Sequence, residues 1–362
     1  MREYEPHPLM RNSHVMTVAG AFWPRRYPAL PPAVDRLFEV EPGTHLLGRC
    51  HWQQDPRLHP TIVSVHGLEG SSESPYMLGI SEKAYRQGFN VARMNQRNCG
   101  GTERLTPTLY NSGLSGDYRA VLEELIGRDG LPEVFFAGYS MGGNLVLKMA
   151  GELGERPPHQ LRGVCAVSPA SDLAACAGEL ERASNFVYQW HFVRSLKRRM
   201  RLKASLFPSR YDVHGLGKVR TVREFDELIT APFCGFRDAA DYYARSSASQ
   251  FLGAIQVPTL ILTAQNDPFI RFDTFDDPAL RSNPQIAFVA PREGGHSAFI
   301  SRSPGDERYW AEARVVEFCK RHASSGRSGH QTGFSRDSEK PGVSSRAAPA
   351  SVTTMMSSSR RP

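Results

Sequence analysis

The chain has 362 residues, 40% of them apolar, enough to bury one large core, and its six cysteines follow neither C-x-x-C nor zinc-ligand spacing, which argues against a metal centre. The net charge is +7, but six of the 44 Lys/Arg and two of the 37 acids fall in residues 322–362, so the tail carries +4 and the rest of the chain only +3. A nucleic-acid partner is not expected from that balance, because the tail's single aromatic, Phe334, provides no set of rings for stacking bases.

In chain order, residues 36–40 and 45–50 read as leading antiparallel strands around the Pro42-Gly43 turn. A strand over 61–65 runs into His66-Gly67-Leu68-Glu69-Gly70, followed by a helix over 80–87, a strand over 91–95 and a helix over 116–127. The apolar run at 133–138 leads into a helix at 142–153, then a strand at 161–167. Roughly ninety residues separate that strand from the next, too many for a simple crossover, so an inserted helical cap is expected over about 172–252. Strands at 258–264 and 285–290 and a helix at 308–321 complete the pattern. The alternation means an α/β fold, a mostly parallel central sheet with helices on both faces. One domain is expected over 1–322, with a disordered, basic, Ser/Arg-rich tail over 323–362 that lacks the apolar surface to fold. Met1-Arg2-Glu3-Tyr4-Glu5-Pro6 has no basic-then-apolar pattern and no stretch reaches 18 apolar residues, so a cytoplasmic protein with free thiols is expected.

The chemistry centres on Gly138-Tyr139-Ser140-Met141-Gly142, set between a buried strand and a helix. A serine on so sharp a turn holds strained backbone angles, and glycines two before and two after it keep neighbouring chains from colliding. Such a serine needs a histidine base and a carboxylate to orient that base. In this kind of fold both follow the serine, acid first, each at the end of a later strand. Asp267 follows the strand at 258–264, and Gly294-Gly295-His296 follows the strand at 285–290, so Ser140, Asp267 and His296 form the expected triad. Asp172, Asp273, Asp276 and Asp277 are the rival acids and read as loop or cap residues. The oxyanion donors are expected to be the amides of Met141, which follows the nucleophile, and Leu68, which follows the turn at Gly67. His66 reads as a structural hydrogen-bonder or a pocket wall rather than a base. Aromatics of the expected cap, Phe186, Tyr188, Trp190, Phe192, Phe225, Phe233, Phe236, Tyr242 and Tyr243, floor an acyl pocket or pack the cap's own core. The basic run Arg194–Lys203 reads as a solvated helix face, with attraction to anionic lipid headgroups or a phosphate-bearing substrate as the alternative.

With these motifs the chain resembles the YheT-like branch of α/β-hydrolases, serine esterases related to the mammalian α/β-hydrolase-domain esterases and phospholipases. The matching stretches are Arg11-Asn12-Ser13-His14, His66-Gly67-Leu68-Glu69-Gly70-Ser71 with Ser74-Pro75-Tyr76, Gly138-Tyr139-Ser140-Met141-Gly142-Gly143-Asn144, Arg223-Glu224-Phe225-Asp226 with Ile229-Thr230-Ala231, and Asp267-Pro268-Phe269. The resemblance implies an α/β-hydrolase fold and a cofactor-free esterase acting on short- or medium-chain acyl esters, of glycerol or phospholipid among others, with a small-molecule ester as partner and transient lipid contact through the cap. Arg97-Asn98-Cys99-Gly100-Gly101 departs from the Arg-Gly usual in relatives and leaves that turn open. An acyltransferase on the same triad and a catalytically silent binding protein are the alternatives. Transferases of this superfamily often carry an aspartate five residues past the histidine, where this chain has Ser301, so hydrolysis is favoured.

Overall fold

The computed structural model describes residues 2–324, so all but the first two residues of the expected disordered tail lie outside the described residues. Eight strands form one sheet: β1 (Val34–Glu41), β2 (Thr44–His51), β3 (Thr61–Val65), β4 (Asn90–Asn95), β5 (Val134–Tyr139), β6 (Leu161–Val167), β7 (Thr259–Leu262) and β8 (Ile286–Val289). Their spatial order is β1-β2-β4-β3-β5-β6-β7-β8. β1 and β2 pair antiparallel, β2 meets β4 antiparallel, and every pairing from β4 onward is parallel.

The helices are α1 (Ser13–Phe22), α2 (Pro75–Arg86), α3 (Ser115–Gly127), α4 (Met141–Leu153), α5 (Leu173–Leu180), α6 (Phe186–Leu206), α7 (Val222–Phe225), α8 (Ala231–Cys234), α9 (Ala239–Ser246), α10 (Pro278–Ser282) and α11 (Trp310–His322). Successive residues of β5 serve opposite faces of the sheet, as the pleat requires. Val134 and Phe136 pack with Tyr118, Val121 and Leu122 of α3 and Leu145 of α4. Phe135, Ala137 and Tyr139 pack with Met77 and Ile80 of α2 and Trp310 and Val315 of α11. With both faces covered, β3, β4 and β5 are buried along their whole length, and in β5 this shows in the sequence as the apolar run Val134–Ala137.

Outside the insertion, α1, α2 and α10 depart from the sequence reading. α2 starts at Pro75, several residues ahead of the expected helix, because Pro75 supplies a helical φ at the first position. α1 was not anticipated: Asn12 caps it by accepting from the amides of His14 and Val15, and only Met16 and Thr17 are buried.

Parallel register brings the functional loops together. Val65 lies opposite Gly138, Val167 opposite Tyr139, and Leu262 opposite Val167, so the chain leaves β3, β5, β6 and β7 at one edge of the sheet. Helices α5 to α9 occupy the long segment between β6 and β7. Asn144 of α4 fastens that segment to the sheet: its Nδ2 donates to the carbonyls of Ser112 (3.0 Å) and Ser246 (2.9 Å), and its Oδ1 accepts the Ala248 amide (2.7 Å). Asn144→Ala leaves three buried backbone groups unpaired and is expected to lower the unfolding free energy by about 3 kcal/mol or more in urea titration.

Candidate active site

Ser140 stands between β5 and α4 with φ 54° and ψ −118°, a left-handed conformation that a residue with a Cβ adopts only under constraint. The neighbours show why both flanking residues are glycine. A Cβ on Gly138 would lie 2.2 Å from the Gly142 carbonyl oxygen, and one on Gly142 would lie 2.3 Å from that of Val65 and 2.5 Å from that of His66. The Ser140 amide donates to the Val167 carbonyl (2.9 Å), pinning the turn to the end of β6.

Asp267 and His296 meet at the far side of the same sheet edge. His296 Nδ1 lies 2.9 Å from Asp267 Oδ2 and 3.1 Å from Oδ1. The aspartate side chain is fully buried, and its Oδ1 also accepts the amides of Phe269 (2.9 Å) and Ile270 (3.1 Å). That set keeps the carboxylate aimed at Nδ1 and fixes the tautomer with its proton there, so Nε2 carries the ring's free lone pair. The rival acids are spent elsewhere. Asp172 and Asp277 cap α5 and α10, while Asp273 and Asp276 pair with Arg271 and Arg281 at the surface.

The loop carrying His296 is held by α1. The His296 amide donates to the Thr17 hydroxyl (2.9 Å), and Gly295, at φ 59°, approaches so closely that a Cβ there would lie 2.9 Å from the Ser13 carbonyl oxygen. Sequence reasoning missed Thr17; its only signal was proximity to Arg11-Asn12-Ser13-His14, a stretch noted without a role.

The loop after β3 lies against the serine: a Cβ on Gly67 would sit 3.0 Å from Ser140 Cβ. The Gly67 amide is taken by the Tyr76 hydroxyl (3.0 Å), whereas the amides of Leu68 and Met141 donate to no acceptor among the described residues. His66 is fully buried beneath this loop; its Nδ1 donates to the Gly67 carbonyl (2.8 Å) and its Nε2 accepts the Gln96 amide (3.1 Å). Glu69, directly after Leu68, also has a positive φ, of 57°, and accepts from Tyr110 Oη (2.5 Å), Arg199 Nε (2.9 Å) and the Ser195 hydroxyl. Arg199 therefore turns inward, as does Lys203, which is fully buried and donates to the carbonyls of Glu103 (2.8 Å) and Thr106. The basic run is thus a solvated face only in part, because these two cations hold α6 to the loops after β3 and β4.

Two cavities share Ser140, Leu68, Phe192 and Phe269 in their walls. The inner one, about 110 Å³, lies under α5, α6, α7 and α9 and is walled largely by apolar side chains such as Leu173, Leu180, Leu196 and Phe225. The outer one, about 510 Å³, is bordered by α1, the start of α6, Tyr76 and His296. Ser140 and His296 thus border one cavity without a direct hydrogen bond between their side chains. Of the aromatics in the insertion, Phe192, Phe225, Tyr242 and Tyr243 reach the inner cavity, while Phe233 packs on Tyr211, and Phe186 is exposed. Among the described residues no group of His, Cys, Asp and Glu is placed to hold a metal ion, and no helix is long and apolar enough to cross a membrane.

Residues 60–303 match the α/β-hydrolase fold family. The YheT protein of Escherichia coli, which bears a provisional esterase name, is 32% identical over 87% of this chain and 92% of its own length. The chain is an α/β-hydrolase of the YheT-like branch. A monoacylglycerol lipase of Saccharomyces cerevisiae is 30% identical over 74% of this chain and 61% of its own length. The phospholipase ABHD3 of Mus musculus is 29% identical over 68% and 60%, so this α/β-hydrolase spans well under two thirds of that relative. Among solved structures, an esterase of Pyrococcus furiosus superposes with a TM-score of 0.54 at 16% identity, covering 80% of this chain and 91% of that one, a likeness of fold.

The buried His66 gives a pH-dependent term. Burial pushes its imidazole from 6.5 down to about 4. Between those values the unfolded chain carries a proton on this ring that the folded chain refuses, so stability falls as pH drops through the window and is unaffected by this group above it. His51, lowered to about 4 by burial and by Arg93, acts in the same direction. Acidification to about pH 4.5 is expected to remove about 2–3 kcal/mol through His66, and His66→Asn should flatten that slope in urea titrations repeated across the range.

Proposed function

We propose that the protein is a serine hydrolase of carboxylic esters working through an acyl-enzyme. Ser140 attacks the ester carbonyl, His296 Nε2 takes its proton and passes it to the departing alcohol, and Asp267 holds the imidazolium that forms. The amides of Leu68 and Met141 receive the oxyanion; preorganised donors of this kind are worth several kcal/mol because they need no reorganisation as charge develops. Water entering from the outer cavity then attacks the acyl-enzyme with His296 as base.

The observation that carries this reading is the shared outer cavity: a serine under backbone strain and a histidine whose opposite ring nitrogen is bound to a buried carboxylate both border it. The two cavities divide the substrate. The inner one takes the acyl chain, and its small volume suits short and medium lengths, while the outer one takes the alcohol. Relatives named as a lipase and a phospholipase support acylglycerols or phospholipids as the natural esters. Water is the acceptor in this reading rather than an alcohol, since the position five past His296 is Ser301, buried and bridged to Pro6.

Ser140→Ala is expected to lower kcat for p-nitrophenyl butyrate by about 10⁴-fold or more while leaving the thermal transition in place. A fluorophosphonate probe should label the wild type at Ser140 and leave the variant unlabelled; an unlabelled, inactive wild type would favour a silent binding protein. In a p-nitrophenyl ester series, kcat/KM is expected to be highest for short and medium chains and to fall at least about tenfold by the palmitate.

A further inference from the structure

The mouth of the outer cavity is rimmed by apolar side chains left uncovered by the other described residues. On α1, Val15, Val18 and Phe22 recur at helical spacing and are 49%, 46% and 75% exposed. On the first turns of α6, Phe186, Val187 and Trp190 are 68%, 68% and 52% exposed. The helices meet at His14, whose ring stacks on Tyr188 at 5.7 Å with Nδ1 3.2 Å from the tyrosine hydroxyl, so both stripes belong to one surface. Single exposed hydrophobes are ordinary, but four of these border an apolar cavity, Val15 and Phe186 extend the two stripes, and together they mark a contact surface.

Charge identifies the partner. α6 has no carboxylate along its 21 residues. Lys197, Arg199 and Lys203 are engaged by backbone carbonyls and Glu69. Arg194, Arg198 and Arg201 stay exposed and continue the stripe from Trp190 at helical spacing, and the Arg194 guanidinium sits 5.3 Å from the Trp190 ring centroid. Exposed Arg11 and Arg26 flank α1. None of these five arginines forms an ion pair among the described residues.

We propose that α1 and α6 dock the protein on a lipid surface bearing anionic headgroups, with the cavity mouth facing the acyl layer. What passes through that mouth rests on the ester-hydrolase reading above. The apolar stripes enter the boundary between headgroups and acyl chains while the guanidinium groups meet phosphates.

The test is flotation of the full chain carrying Ser140→Ala, so that turnover cannot alter the vesicles, on phosphatidylcholine alone and on phosphatidylcholine mixed with phosphatidylglycerol. The parent is expected to float with the mixed vesicles. Arg194→Gln/Arg198→Gln/Arg201→Gln and, separately, Val15→Ser/Phe186→Ser should each reduce that partitioning by about tenfold or more. The charge of the C-terminal tail is common to all of them, so the differences read the two helices. Neither set of substitutions lies in a cavity wall, and in the Ser140 background both should keep p-nitrophenyl butyrate turnover within about twofold. A parent that does not float, or that floats equally with both variants, overturns the docking face. So does a dimer in light scattering that Val15→Ser/Phe186→Ser dissolves without any vesicle binding, since a second copy then covers the face. Absence of soluble-ester turnover in the wild type would instead overturn the hydrolase reading, whatever the flotation shows.

Discussion

Ser140 can exist in its left-handed conformation only because the chains around it leave no room for side chains. The turn is wedged between the α4 backbone behind Gly138 and the carbonyls of Val65 and His66 above Gly142. A constraint of this kind acts on two neighbours at once. The close approach that forbids a Cβ at Gly142 also brings the β3 loop against the serine, so one steric fit sets Ser140 and the loop bearing the Leu68 amide. The strain, on the order of 1–3 kcal/mol for such a conformation, is held by hydrogen bonds to β6 and by burial of the flanking strand.

The β3 loop is tied in turn to the helical insertion. Glu69, directly after Leu68, is nearly fully buried, and a buried carboxylate is stable only when its oxygens are occupied. Its donors come from two places: Tyr110, in the segment after β4, and Arg199 and Ser195 on α6. The orientation of the Leu68 amide is therefore linked to the seating of α6, and a shift of that helix would reach that amide through a single side chain. His66 works from below, its two ring nitrogens joining the loop to Gln96 at the end of β4.

The sheet and the serine turn were legible in the sequence because they depend on short-range patterns. Unbroken apolar runs mark strands covered on both faces, and the glycine spacing around Ser140 states a local steric demand. Asp267 and His296 were legible through chain order, since each ends a late strand. α1 was not, because its role is long-range: the Thr17 hydroxyl serves the His296 amide 279 positions away, and no local spacing encodes that contact. The inward turn of Arg199 and Lys203 was hidden for the same reason. Within α6 they look like their exposed neighbours Arg198 and Arg201, and only Glu69 and the carbonyls after β4 distinguish them.

The inner cavity contains one feature at odds with an acyl site, the carboxyl of Asp226. Burial raises it to about 6, and both of its oxygens are occupied, Oδ1 by the Thr230 hydroxyl (2.6 Å) and Oδ2 by that of Tyr243 (2.8 Å). Both donors come from within the insertion, so the hydrogen bonds of this carboxyl are made there, and Phe225 and Leu180 supply the apolar part of the wall. On the proposed reading this sets the order of events. The acyl chain, held in the narrower inner cavity, stays there after the ester bond breaks, while the alcohol, on the wider outer side, is free to leave. The space it vacates borders His296, so the water that replaces it arrives beside the base.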